Sequence, residues 1–88
     1  IFMNINELIA TVKKKLEAQI KIEKIVVEDK TFLHKNHPEN KKDKFHIKIT
    51  LNSEELKKMN KIDRTKKIYK ILDNELKTLI HSLQILIK

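Results

Sequence analysis

The stretch Phe45-His46-Ile47-Lys48-Ile49-Thr50-Leu51 alternates apolar and polar residues without a break. A period of two marks a strand that lies on a core by one face. The alternation sends Phe45, Ile47, Ile49 and Leu51 inward and leaves His46, Lys48 and Thr50 outward, with His46 exposed. Upstream, residues 21–29 (KIEKIVVED) are short and β-branched, with Ile25 and Val27 alternating against charges, and predict an earlier strand. Residues 30–42 (KTFLHKNHPENKK) have no period, hold the only proline and predict a long loop. At the other end, Leu83, Ile85 and Ile87 alternate with Ser82, Gln84 and Leu86, which predicts a terminal strand with His81 at its start.

The remaining segments are helical in period. Ile5, Leu8, Ile9, Val12, Leu16 and Ile20 recur at i, i+3 and i+4, predicting a helix over 4–20. Asn4 followed by Glu7 resembles a capping box. Asn52 and Ser53 offer an N-cap to a short helix carrying Leu56 and Met59. Asp63 offers a cap to a longer helix reaching about Leu79, with an apolar arc of Ile68, Tyr69, Leu72, Leu76 and Leu79. The order is α-β-β-α-α-β. About 29 residues separate the second strand from the third, the length of a crossover, so those two strands run parallel and the first is antiparallel to them. The expectation is an α+β fold with a three-stranded mixed sheet and helices on one face. The loop after the first strand and the start of the third strand then share one end of the sheet, so His34, His37 and His81 can converge there.

Composition narrows the function. The 88 residues make one domain, 1–88, with a thin core. The apolar part is aliphatic, 14 Ile and 10 Leu against three Phe and one Tyr. The absence of Cys removes disulfides, thiol chemistry and Cys-ligated metal from this chain alone. The absence of Gly removes a P-loop, a dinucleotide fingerprint and a GXXG nucleic-acid clamp. No nucleophile–base pair or carboxylate dyad is visible, and the chain reads as a non-enzyme. No apolar run approaches a membrane span, and no basic segment leads into an apolar one as in a signal peptide, so the chain reads as cytoplasmic, with a mitochondrion or other organelle as the alternative in a eukaryotic source.

Two features carry chemistry. Imidazole is a common metal ligand, and His34, His37 and His81 form a partial set. By spacing alone His34-x-x-His37 is no zinc signature, and solvated loop histidines are the plainer reading. The second feature is charge. The formal net charge is +8, and residues 57–70 hold seven basic residues against Asp63, a local +6. Lys61, Arg64, Lys66, Lys67 and Lys70 are candidate phosphate contacts on a basic helical region. With one Arg and almost no interleaved aromatics, base-specific reading is poorly equipped, and a solvated lysine face or a surface steering an acidic protein partner accounts for the same residues.

Four segments resemble the BolA family. Val27-Glu28-Asp29-Lys30-Thr31-Phe32-Leu33-His34-Lys35-Asn36-His37 is similar to V-x-D-x-S-x-x-H-x-x-H, with one residue of slack. Phe45 to Ile49 is similar to the HF-x-V-x-I strand, Arg64 to Tyr69 to R-H-R-x-V-Y, and Ile80-His81-Ser82-Leu83 to I-H-A-L. The resemblance spans about residues 5–87, and the family's class II KH-like arrangement has the same element order. Three positions depart from it. Lys44 stands where the family usually has His, Thr65 replaces the His of R-H-R, and Lys58 falls where a Gly is usual.

The resemblance implies a partner and a cofactor. Family members pair with monothiol glutaredoxins around a bridging 2Fe-2S cluster, in iron–sulfur assembly, trafficking or iron regulation, and some relatives act on transcription. The glutaredoxin side brings its thiolate and that of bound glutathione. Carried over to this chain, His81 is the constant ligand, His34 the best match for the loop ligand and His37 its reserve. The free chain is then a monomer without cofactor, and a heterodimer with its partner. Two imidazoles on one iron is the Rieske arrangement, which raises the reduction potential.

Overall fold

A computed structural model describes residues 4–31 and 44–88. The element order is α1 (Ile5–Gln19), β1 (Lys24–Asp29), β2 (Phe45–Asn52), α2 (Glu54–Lys57), α3 (Lys61–Ile71), α4 (Asp73–Thr78) and β3 (Ile80–Ile87). The strands form one sheet in the order β1-β2-β3, with β1 antiparallel and β3 parallel to β2. This is the mixed α+β architecture that the strand periods and the crossover length require.

The first helix follows its sequence closely. Asn4 accepts from the Glu7 amide at 2.8 Å while the Glu7 carboxylate reaches back to the Asn4 amide, closing the capping box. Leu8, Val12 and Leu16 are buried along one stripe, with Ile20 at the end. Val27 from β1, Ile47, Ile49 and Leu51 from β2, Leu56, Ile68 and Leu72 from the helices and Ile80 from β3 complete the core. Each such aliphatic side chain contributes about 1.5–3 kcal/mol when fully buried.

The single long helix expected over 63–79 is two helices. Asn60, not Asp63, is the N-cap of α3, its side chain accepting from the Asp63 amide at 2.8 Å and donating to the Asp63 carboxylate. The break falls at Leu72, which ends α3 and begins α4. Asp73 and Asn74 follow it, and both are weak helix formers whose side chains compete for nearby backbone groups. Tyr69, expected on the apolar arc, is exposed, because the arc narrows to Ile68 and Leu72 where α3 meets the core.

Two carboxylates tie the helices together. Glu75 of α4 is buried, and both of its oxygens accept from the Lys15 ammonium of α1, at 2.7 and 2.9 Å. Glu55 of α2 accepts from the Lys21 amide at 3.0 Å and from the Lys67 ammonium at 2.9 Å. Those two donors, the amide first, hold the Glu55 carboxyl below its ordinary pKa. Buried Ser53 caps α2 and also donates to the Lys21 carbonyl at 2.8 Å, closing the corner between β2 and the α1–β1 connection.

Candidate metal-ligand site at the end of the sheet

The site begins where β1 ends. The Asp29 carboxylate accepts from both the amide and the hydroxyl of Thr31, turning the chain off the sheet. The Thr31 hydroxyl oxygen in turn accepts from the His46 amide at 3.2 Å, and the Lys30 amide donates to the His46 carbonyl at 2.7 Å. The backbone of His46 is therefore held on both sides at the mouth of the loop.

Across the sheet, the β2–β3 register shifts. Phe45 pairs with Ile80, but His46 pairs with Ser82, so His81 is an extra residue with no partner on β2. That is a β-bulge, a device that re-aims a side chain. By simple alternation His81 would share the core face with Leu83, Ile85 and Ile87. Instead Ile80 is buried while His81 and Ser82 are both exposed in succession. His81 is accordingly the second residue of its strand rather than the first, and the bulge turns its imidazole outward.

His46 is not the exposed residue that alternation suggests. It is 4% exposed. Its Nδ1 lies 2.8 Å from Ser82 Oγ in a hydrogen bond, and its ring packs against that of His81 with centroids 5.0 Å apart and planes at 65°. The bulge brings two β3 side chains over one β2 side chain, and that covers it. A signal for this existed in the sequence: two consecutive polar residues, His81-Ser82, interrupt an otherwise alternating strand. Ser82, Thr31 and Asp29 are the supporting residues that the reading of the histidines alone passes over.

His34 and His37 lie outside the described residues. Among the described residues no group of three or more His, Cys, Asp or Glu could hold a metal ion. Among the described residues, the exposed His81 imidazole is a side chain of this end of the sheet with a chemistry suited to metal ligation.

The basic region is less free than its charge count implies. Lys61, Lys66 and Lys70 are exposed, and Arg64 is half-buried. Lys67 is paired with Glu55 at 2.9 Å and Lys57 with Glu54 at 3.5 Å. An open groove of about 570 Å³ between α1 and α3 is lined by Lys15, Lys67, Lys70, Ala18, Gln19 and Ile71, and two of its three lysines are neutralised by Glu75 and Glu55. Among the described residues no helix is long and apolar enough to cross a membrane.

A three-stranded mixed sheet with its helices on one face and an outward histidine at the bulged start of the last strand defines a KH-like α+β protein. The chain belongs to the BolA-like protein family, whose model matches residues 16–88. Its structure is similar to the BolA domain of SufE1 from Arabidopsis thaliana, with a TM-score of 0.80, 25% identity, and coverage of 97% of this chain and 94% of that one. BolA1 from Arabidopsis thaliana is similar at a TM-score of 0.76 and 25% identity, over 91% of this chain and 88% of that one. BolA1 from Mus musculus shares the fold at a TM-score of 0.72 and 20% identity, over 90% of this chain and 62% of that one. No curated protein matches the chain.

Proposed function

We propose that this BolA-like protein partners a monothiol glutaredoxin to hold a bridging 2Fe-2S cluster, without catalysis of its own. The observation that supports the reading best is His81, an imidazole carried on a strand and turned outward by a bulge. His81 supplies one nitrogen ligand, and His34, with His37 in reserve, supplies the second from the loop that leaves the same end of the sheet. The glutaredoxin and its glutathione supply two thiolates, and the bound cluster gives the pair its electron-transfer and cluster-transfer chemistry. A strand residue fixes a ligand position better than a loop residue does.

The test is anaerobic reconstitution of the pair with glutathione, iron and sulfide, followed by visible absorption and circular dichroism. His81→Ala abolishes the stable mixed complex, and the His34→Ala/His37→Ala double variant does the same. Identical spectra and cluster lifetimes for wild type and His81→Ala would refute the reading.

A DNA-binding role is the second reading. It is supported by exposed Lys61, Lys66 and Lys70, and weakened by the carboxylates that neutralise Lys57 and Lys67.

A further inference from the structure

An exposed imidazole on an edge strand has freedom about both side-chain dihedrals and no fixed direction in which to offer its nitrogen. Among the described residues, one aromatic ring stands against His81. The His46 ring contacts it edge-on at 5.0 Å between centroids, and among the described residues this is the ring contact the site contains. His46 is itself immobilised. It is buried, its amide donates to Thr31, its carbonyl accepts from Lys30, and its Nδ1 is bonded to Ser82.

We infer that His46 is the positioning residue for His81: a buried imidazole, pinned to β3 through Ser82, forms the wall that restricts the His81 ring to one orientation. The inference rests on the reading of His81 as a ligand and adds what holds that ligand in place. The bulge supplies the geometry. It places His81 and Ser82 side by side over His46, so one strand contributes both the ring to be held and the hydroxyl that pins the holder. An edge-to-face ring pair contributes the equivalent of about two- to tenfold in an equilibrium constant beyond its buried area, and it fixes the relative orientation of the two rings.

The isolated chain provides the first test. Nitrogen-15 and proton spectra of the His81 ring are compared among wild type, His46→Ala, His46→Phe and Ser82→Ala. Packing against His46 shifts the His81 ring protons from exposed-histidine values in wild type. That shift is lost in His46→Ala and reduced, but not lost, in both His46→Phe and Ser82→Ala, each of which keeps a ring beside His81 and removes the bond that pins it. Unchanged His81 signals in a folded His46→Ala overturn the inference. If His46→Ala fails to fold, unchanged His81 signals in Ser82→Ala overturn it.

In the reconstituted pair, His46→Ala loses its cluster about two- to tenfold faster than wild type, and His46→Phe restores the lifetime in part. Equal lifetimes for wild type and His46→Ala overturn the inference, as does a His46→Phe lifetime no better than that of His46→Ala. A wild-type pair that forms no cluster refutes the proposed function alone, because the ring spectra of the isolated chain still decide the role of His46.

Discussion

Replacing Lys15 by Met should unseat α4, the helix that leads into His81. The Lys15 ammonium reaches both oxygens of Glu75, at 2.7 and 2.9 Å. At 2.7 Å two unit charges attract by about 6 kcal/mol at an effective dielectric of 20 and about 1.5 kcal/mol in water. The two ends differ in environment, since the Lys15 side chain is 38% exposed and that of Glu75 only 4%. Removing one partner of a fully buried pair costs about 3–5 kcal/mol, and an exposed pair is worth about 0.2–1 kcal/mol. With one end wet and one end dry, Lys15→Met should cost about 2 kcal/mol, chiefly by stranding the Glu75 carboxylate. For a domain of this size that lowers the melting temperature by about 8–16 °C. Lys15→Met/Glu75→Leu removes the stranded charge and should recover at least half of the loss, because apolar replacement of such a pair is often neutral. Far-ultraviolet circular dichroism during urea and thermal unfolding measures both variants. A Lys15→Met melting point within about 2 °C of wild type would refute the reasoning, since Glu75 would then be reaching water.

Other substitutions probe separate parts of the molecule. Ile49 is fully buried at the centre of β2, so Ile49→Asp places an unpaired charge in the core at a cost of several kcal/mol; loss of the cooperative melt is expected, and a native-like melt would contradict the sheet assignment. Glu55 has a lowered pKa in the fold, so its contribution to stability is present above the ordinary glutamate value of about 4.3 and fades as pH falls through the lowered one. The stability difference between wild type and Glu55→Gln should therefore shrink on acidification, and a difference that grew as pH fell would show the opposite sign of shift. For the DNA reading, the exposed candidates Lys61, Lys66 and Lys70 together account for a salt dependence of about 2.7 log units of affinity per log unit of salt. Lys66→Glu/Lys70→Glu should abolish that weak binding and leave cluster formation unchanged, and a footprint confined to one sequence at physiological salt would reverse the ranking of the two functions.

Local rules settled most of the architecture. The period of two in Phe45–Leu51, the helical stripe of α1, the Asn4 capping box and the crossover length are properties of contiguous residues, and each is legible without a neighbour. The common end of the sheet shared by the end of β1 and the start of β3 follows from the same topology.

The site itself depended on contacts between distant segments. Strict alternation assigned His46 to solvent and gave no reason for His81 to leave the core face. The register shift between β2 and β3 reverses both, and a register shift belongs to a pair of strands, since it records which amide finds which carbonyl. The break at Leu72 and the burial of Glu75 have the same origin. Asp73 and Asn74 weaken the helix locally, but it is Lys15, 60 positions away in sequence, that pairs with the buried carboxylate. Sequence period determined which residues form strands and helices here; packing across the sheet decided that His81 is exposed and that His46 is buried.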